Sequence, residues 1–371
     1  MKIRTITCHH VYNYGAALQA YALQAYLQQQ GHDVQIIDYV RPGANANFKK
    51  GITEIPKSSR LHCLGVRSGL FTKLYCSWKN RNSNMSMKRC EAFDRFRADF
   101  FQLTRRYTSI DELRQDAPDA DIYIAGSDQI WNPQLANGKD LSFYLDFGSP
   151  ETKRISYAAS FSITVDAIGD EHATFVYSLL KNFDSISVRE RTGLSILNKL
   201  SIKGVEVLDP VFLLSINDWK NIIAPTPLLR EKYILVYHLF DSSKGLKEYV
   251  IAQRKKTGCK VVCINDKKKR PYADIQFNDA GPLDFLNLIL NAELVVADSF
   301  HATAFSIIFQ KDFHVFYNRQ NISRIADLLH NLEMDDRLNN SISTPIQWKV
   351  KGNLLAHYIQ QSKSFIQSNL R

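Results

Sequence analysis

A strand–helix–strand pattern occupies the first 40 residues and limits the folds open to this chain. Residues 2–8 (KIRTITC) and 33–40 (DVQIIDYV) have the apolar and β-branched composition of buried strands. The segment between them carries apolar residues at helical spacing, and Gly31 follows it where a helix C-cap belongs. Neighbouring strands joined by a helix pair in parallel through a right-handed crossover. The chain is therefore predicted to build a parallel sheet covered by helices.

Strand and helix patterns alternate along the rest of the chain and restart after Pro210. These two successive sets predict an α/β fold with two Rossmann-like domains facing a cleft, as in a GT-B-like protein. The strand patterns are DIYIAG, RISYAAS, SISVRE and VEVLD before the restart, and YILVYHLF, KVVCIN, ELVVAD and DFHVFYN after it. Helices are predicted near residues 243–256, 282–291 and 301–310.

At 371 residues the chain is long enough for two domains with separate cores. We assign residues 1–215 to an N-terminal Rossmann-like domain and residues 225–345 to a C-terminal one. Residues 42–86 are rich in Gly, Ser, Asn, Lys and Arg, and are predicted to form an irregular excursion. Residues 350–371 are predicted to form a C-terminal helix that packs back on the first domain.

Composition and charge narrow the cellular setting. No window offers the roughly 18 apolar residues of a membrane helix, and the N-terminus lacks a secretory apolar region. The six scattered cysteines suit reduced thiols, so a cytoplasmic protein is expected. The net charge of +10 favours anionic partners and leaves peripheral contact with the inner membrane face open. Neither a metal site nor nucleic-acid binding is expected, since the chain shows no zinc-ligand spacing and no recognition motif.

Residues 295–309 (VVADSFHATAFSIIF) place polar residues inside a run that is otherwise suited to a core. A strand is predicted to end at Asp298 and a helix to follow, so Ser299 and His301 occupy the turn between them. Ligands of open α/β folds bind at this carboxyl edge of a parallel sheet. His301 is therefore a candidate site residue. The alternative is that it caps the helix or satisfies a buried carbonyl group.

Polar clusters follow three other predicted strands at the same edge, and VEVL ends at Asp209. Each cluster also has an ordinary explanation, such as a turn, a helix cap, a core tryptophan or a surface ion pair. Their repetition at one edge predicts that they line one interdomain cavity, within about 20 Å of one another. The candidates are Asn13, Tyr14 and Gly15 after KIRTITC, Ser127, Asp128, Gln129, Trp131 and Asn132 after DIYIAG, and Arg189 after SISV.

Several of these segments together resemble the polysaccharide pyruvyl transferase family. They are NYGAALQAYALQAYL with the following IIDY, AGSDQIWN, SYAASF, SVRE, VLDPVFLL and DSFHATAFSIIF, in the family's order across residues 6–338. The resemblance implies a GT-B-like pair of Rossmann-like domains. It also implies a transferase that moves the enolpyruvyl group of phosphoenolpyruvate to a sugar of a surface polysaccharide precursor and closes it as a ketal across two hydroxyls. Phosphoenolpyruvate is then a co-substrate, and no cofactor is expected.

This reaction needs an acid that protonates the methylene carbon of phosphoenolpyruvate and cations that hold its carboxylate and phosphate. His301 is the predicted acid because imidazole titrates near neutral pH, and Asp128 is the second catalytic candidate. The donor-binding candidates are Arg189, Ser299, Arg319 and Arg324. The predicted ligands of the acceptor, a sugar or a lipid-linked oligosaccharide, are Asn13, Tyr14, Gly15, Ser127, Gln129, Trp131 and Asn132.

Ser299 departs from the family pattern. Characterised sugar pyruvyl transferases carry an arginine two residues before the motif histidine, where it helps to hold phosphoenolpyruvate. Either another arginine supplies this charge, with Arg189 as the first candidate, or the donor differs. Ser162 is a smaller departure, since glycine is usual at that position. A glycosyltransferase on the same scaffold and a non-catalytic glycan- or anion-binding protein are therefore kept as alternatives.

Overall fold

Two parallel β-sheets of five strands each form the framework of the protein. The computed structural model describes residues 1–41, 87–239, 243, 245–264, 270–317, 322–339 and 344–370. The excursion predicted at residues 42–86 lies outside the described residues.

The N-terminal sheet is built around the first strand of the chain. Its strands are β1 (Lys2–Ile6), β2 (Asp33–Tyr39), β3 (Leu103–Tyr107), β4 (Ile122–Ala125) and β5 (Lys153–Ser156). They lie in the order β3-β2-β1-β4-β5, and every neighbouring pair is parallel. A short parallel pair, β6 (Ser187–Val188) and β7 (Val205–Glu206), continues beside β5.

The C-terminal sheet repeats this design. Its strands are β8 (Tyr233–Tyr237), β9 (Lys260–Ile264), β10 (Ile275–Phe277), β11 (Leu294–Ala297) and β12 (Asp312–Val315). They lie in the order β10-β9-β8-β11-β12, again all parallel, which confirms the predicted α/β class. β3 and β10 were not predicted, because these edge strands are short and carry no continuous buried apolar run.

Helices connect the strands in both halves. Those before β8 are α1 (Tyr14–Gln29), α2 (Met87–Phe100), α3 (Ile110–Gln115), α4 (Asp170–Leu180), α5 (Arg191–Lys199) and α6 (Ile216–Ile222). Those after it are α7 (Leu246–Thr257), α8 (Pro282–Leu290), α9 (Phe300–Ile308), α10 (Ile322–Asn331) and α11 (Trp348–Asn369). In the described part of the chain, no helix is long and apolar enough to cross a membrane.

The C-terminal helix α11 lies against the N-terminal half of the molecule. The Ser362 hydroxyl oxygen accepts a hydrogen bond from the backbone N–H of Leu208 at 2.9 Å. The ring of Phe365 packs against Tyr157, with centroids 6.4 Å apart. These contacts join the end of the chain to the segments that follow β5 and β7.

The two sheets share an apolar core through α1, α8 and α9. Tyr14, the first residue of α1, is fully buried and stacks on Phe285 of α8 with ring centroids 4.4 Å apart. Its hydroxyl donates a hydrogen bond to the carbonyl oxygen of Ala280 at 2.7 Å. The prediction that Tyr14 binds the acceptor is therefore corrected, because packing between the two halves uses both its ring and its hydroxyl.

Replacing Tyr14 tests this packing. Tyr14→Ala is expected to lower the free energy of unfolding by about 3–5 kcal/mol, because it leaves a cavity in the shared core. Tyr14→Phe keeps the ring and is expected to cost about 1–3 kcal/mol, since the buried Ala280 carbonyl group loses its donor. Urea denaturation measures both values. Tyr177→Phe, at a tyrosine that is 46% exposed, serves as the neutral control; equal stability of Tyr14→Ala and wild type would contradict the packing role.

Candidate active site

A cavity of about 300 Å³ lies between the two halves, where the strands of both sheets end. Its volume suits a small ligand. The N-terminal half contributes Cys8, Val11, Asn13, Asp128, Gln129, Leu135 and Asn137. The C-terminal half contributes Leu239, Asp298, Ser299, Phe300, His301, Arg324 and Ile325.

Asp209, which follows β7, is the centre of the charged network behind this cavity. Its buried carboxylate accepts hydrogen bonds from Nη1 of Arg189 at 2.6 Å and from the Ser127 hydroxyl at 3.0 Å. Nε2 of His301 lies 3.6 Å from the same carboxylate. Burial alone would raise the pKa of Asp209, but the interactions with His301 and Arg189 outweigh burial and hold the pKa well below its usual range. Asp209 is therefore ionised at neutral pH.

Sequence reasoning gave Asp209 no role, although it noted that the predicted strand VEVL ends there. The residue also has an ordinary local function, since its Oδ1 caps the turn at residues 210–212 by accepting from the Val211 N–H at 3.2 Å. A carboxylate before a proline is typical of such a cap, which conceals the second function. The signal that was available is its position at the same strand edge as the other clusters.

Arg189 lies behind the cavity wall, with a side chain that is only 1% exposed. Its guanidinium group stacks on the ring of Phe300, 4.9 Å from the centroid. Nη2 lies 3.7 Å from the Asp128 carboxylate and has no hydrogen-bond partner among the described residues. Burial would lower the pKa of Arg189, but Asp209 and other nearby carboxylates raise it. Because its charge is already compensated, Arg189 is better placed to hold Asp209 than to lead the binding of a donor.

Arg324, in the first turn of α10, lines the cavity directly. Burial, followed by repulsion from Arg189, lowers the pKa of Arg324 to about 10, so the side chain stays protonated at neutral pH. The carboxylates of Glu190, Asp128 and Asp209 act in the opposite direction. Arg324 is therefore a buried cation in the wall whose guanidinium group suits an anionic ligand. Of the three predicted donor-binding arginines, the structure places Arg324 in the wall and Arg189 behind it, and Arg319 lies outside the described residues.

Ser299 is the N-cap residue of α9 and borders the cavity. Within the described structure its side chain makes no capping hydrogen bond to α9. Amide groups at a helix N-terminus attract anions. The neutral Ser299 therefore lies at the start of α9, in a wall that also contains Arg324 and the carboxylates of Asp298 and Asp128.

Asp128 adopts φ 77°, a left-handed conformation that is uncommon outside glycine. Its backbone is held there by the N–H of Ser160, which donates to the Asp128 carbonyl oxygen at 3.0 Å. Unusual backbone conformations of this kind cluster at functional sites. The result is a carboxylate that lines the cavity and is 20% exposed.

The predicted acceptor residues divide between the cavity wall and the layers behind it. Asn13 and Gln129 line the cavity, and the Asn132 side chain donates to Oε1 of Gln129 at 2.9 Å. Two predictions are corrected. Trp131 is fully buried and its indole N–H donates to the Phe143 carbonyl oxygen at 3.0 Å, so it belongs to the core. Ser127 is fully buried as well, and its hydroxyl donates to the network behind the wall.

Gly15 leaves the space that the imidazole of His301 occupies. A methyl group built on Gly15 would lie 1.9 Å from Nδ1 of His301, so any side chain at this position displaces the ring. Gly15 thus packs closely against His301, and its predicted acceptor role stays a prediction. Since Nε2 of His301 faces Asp209, Nδ1 is the ring nitrogen beside Gly15.

The site combines an imidazole beside an ionised carboxylate, an arginine in the wall and three side-chain amides. This set suits proton transfer on a small anionic substrate. Over the described ranges, no group of three or more His, Cys, Asp or Glu side chains is arranged to hold a metal ion.

A double-mutant cycle tests the contact between Gly15 and His301. Gly15→Ala is expected to destabilise the protein by about 1–3 kcal/mol through overpacking, although alanine is the better helix former. In a His301→Ala background the ring is absent, so Gly15→Ala is expected to be neutral or stabilising. Thermal or urea unfolding measures both steps. Gly352→Ala is the control, because no atom lies within 4 Å of its added methyl group. If Gly15→Ala lowered stability equally in both backgrounds, the His301 ring would not be the reason that position 15 requires glycine.

Solved structures show the same architecture at low sequence identity. A putative UDP-N-acetylglucosamine 2-epimerase from Listeria monocytogenes matches with a TM-score of 0.50 and 10% identity, over 96% of this chain and 95% of that chain. An α-glucosyltransferase in complex with UDP and a 13-mer DNA matches with a TM-score of 0.50 and 9% identity, over 98% of this chain and 90% of that chain. These similarities show the fold alone, and they confirm the GT-B-like prediction.

Sequence comparison identifies the family to which the chain belongs. No curated protein matches the chain significantly. A family model described as polysaccharide pyruvyl transferase matches residues 13–320 of the chain. This span includes Asn13, Asp128, Asp209 and His301 and covers most of the chain, so the protein belongs to the polysaccharide pyruvyl transferase family.

Proposed function

We propose that this protein transfers the enolpyruvyl group of phosphoenolpyruvate to a sugar of a surface polysaccharide precursor and closes it as a pyruvate ketal. The observation that carries the proposal is the position of His301, which lies between Gly15 and the ionised Asp209 at a cavity that also contains Arg324. Family membership supports a transferase of this class. The proposed acceptor is lipid-linked and is modified at the cytoplasmic face of the inner membrane, to which a net charge of +10 would attract the protein.

The reaction consists of two additions to C2 of phosphoenolpyruvate. A sugar hydroxyl oxygen forms a bond to C2 while C3 gains a proton and becomes a methyl group. The bond between C2 and the phosphate oxygen then breaks, and a second hydroxyl of the same sugar adds to C2 to close the ketal. One hydroxyl proton balances the proton gained by C3, and the other leaves with phosphate. The protein must therefore supply an acid, a base and positive charge.

His301 is the proposed acid. Its Nε2 faces Asp209, which stays ionised and stabilises a protonated imidazole. Nδ1 is then the nitrogen proposed to deliver the proton to C3, because Nε2 is directed toward Asp209. Asp128 is the proposed base for the attacking hydroxyl, since its carboxylate reaches the cavity from a left-handed backbone.

Arg324 and the first turn of α9 are proposed to hold the carboxylate and phosphate of the donor. They would replace the charge that characterised relatives place at the position of Ser299. Nη2 of Arg189 adds positive potential from behind the wall. The amide side chains of Asn13 and Gln129 are proposed to bind acceptor hydroxyls, since amides both donate and accept hydrogen bonds.

A glycosyltransferase that uses a nucleotide sugar is the second candidate. The neutral Ser299 favours it, because the position that holds phosphoenolpyruvate in characterised relatives has no charge here. Incubation of the protein and a lipid-linked glycan fraction with either phosphoenolpyruvate or a UDP-sugar separates the two. Phosphate release from phosphoenolpyruvate supports the proposed function, and UDP release without phosphate release supports the alternative.

His301→Asn tests the acid. The variant is expected to fold normally and bind phosphoenolpyruvate, while kcat falls about 100- to 10,000-fold, because asparagine cannot carry a proton at neutral pH. Phosphate release gives the rate and calorimetry gives donor binding. His330→Asn is the control, since the His330 side chain is 62% exposed. A His301→Asn variant that melts far below wild type while its folded fraction keeps full turnover would make His301 structural.

Arg324→Gln tests donor binding. It is expected to raise the KM for phosphoenolpyruvate about 10- to 100-fold, because charge-assisted hydrogen bonds to the donor are lost. Arg254→Gln, at an arginine that is 48% exposed, is the control.

Arg189→Lys is expected to act differently from Arg324→Gln. Lysine lacks the planar fork that pairs with Asp209, so the stability of the protein should fall together with kcat. A raised donor KM in Arg189→Lys at full stability, with no effect in Arg324→Gln, would reverse the two assignments.

A further inference from the structure

A second cavity, of about 580 Å³, lies on the other side of residues 8–13 from the candidate active site. The residues of this segment divide between the two cavities: Cys8, Val11 and Asn13 line the first, and His9, His10 and Tyr12 line the second. One chain segment therefore separates the two spaces. The two cavities are therefore neighbours along this segment.

The wall of the second cavity carries two ion pairs whose geometry is fixed by hydrogen bonds. Nε of Arg106 donates to Oδ2 of Asp38 at 2.9 Å. Arg97 pairs with Asp94, whose carboxylate also accepts a hydrogen bond from the Tyr12 hydroxyl at 3.2 Å. Each pair places an acceptor-only carboxylate beside a donor-only guanidinium group.

The charges of this cavity favour a neutral ligand over an anion. The two arginines face the two aspartates, and Nε2 of His9 also contacts the Asp38 carboxylate at 3.0 Å. Burial, followed by the nearby His9 and Arg97, lowers the pKa of His10 to about 3, so His10 is neutral at pH 7. Because each arginine already faces a carboxylate, a free phosphate or a lipid phosphate would gain little here.

Sugar rings match the remaining chemistry of the wall. Each sugar hydroxyl both donates and accepts, so neighbouring hydroxyls can contact a carboxylate and a guanidinium group at once. Val40, Phe101 and Leu103 provide apolar surface for the C–H groups of a ring. The Arg106 side chain is 65% exposed, so a ligand can reach it while it pairs with the Asp38 carboxylate, which is only 8% exposed.

We propose that the second cavity binds a neutral pyranose of the acceptor glycan, adjacent to the sugar that is modified at His301. This inference rests on the proposed function for the identity of the glycan as an acceptor. The sugar site itself is defined by Asp38, Asp94, Arg97 and Arg106 and can be tested without turnover.

Saturation-transfer NMR on the full chain provides that test. The probes are the methyl glycosides of glucose, galactose and mannose, each titrated with and without inorganic phosphate. At least one probe is expected to bind. Arg106→Ala and Asp94→Asn are each expected to weaken it about tenfold, because each removes a charged hydrogen-bonding partner. Arg105→Ala is the matched control, since Arg105 is the preceding residue of β3 and pairs with Asp116 outside this cavity.

Three results would overturn the inference: no binding of any probe, binding that Arg106→Ala and Asp94→Asn leave unchanged, or displacement of the sugar by phosphate. The proposed function fails separately, through the absence of phosphate release from phosphoenolpyruvate. Sugar binding without phosphate release would keep the site and remove its link to pyruvyl transfer. Phosphate release with no sugar bound in the second cavity would support the proposed function and overturn the proposed sugar site.

Discussion

The ionised carboxylate of Asp209 is the interaction on which the site depends. Arg189 is a buried cation that would be costly without a carboxylate partner, and the same carboxylate faces His301. Asp209 thus connects the strand ends of the N-terminal half to helix α9 of the C-terminal half. Because its folded pKa lies below the ordinary value, its contribution to stability is complete above about pH 4 and is lost only as the pH falls through the folded value.

Helix α1 joins the packing of the two halves to the geometry of the site. Its first residue, Tyr14, stacks on Phe285 across the interface, and its second, Gly15, leaves room for the His301 ring. Any change in how the halves pack therefore changes how the imidazole is held. The close approach is possible because glycine occupies this one position in the first turn of α1, where alanine would favour the helix but displace the ring.

Much of the fold was predictable from the sequence because strand and helix periods are local properties, and the strand ends located the residues of the cavity wall. How deeply each side chain is buried was not predictable. Asp128 and Trp131 are three positions apart, yet one lines the cavity and the other is buried in the core, because the direction of each side chain depends on a left-handed turn at Asp128. Asp209 was given no role because its partners Ser127 and Arg189 lie 82 and 20 residues away. The roles assigned to these residues in binding and catalysis stay predictions.

The central claim is that His301, supported by Asp209, adds a proton to C3 of phosphoenolpyruvate during transfer. Mass spectrometry of the glycan product formed in D₂O tests this claim most directly. Wild-type protein with phosphoenolpyruvate and a lipid-linked glycan fraction is predicted to yield a ketal whose methyl group carries one deuterium, with one phosphate released per ketal. A glycan product without a ketal methyl group, or a methyl group without solvent deuterium, would contradict the account.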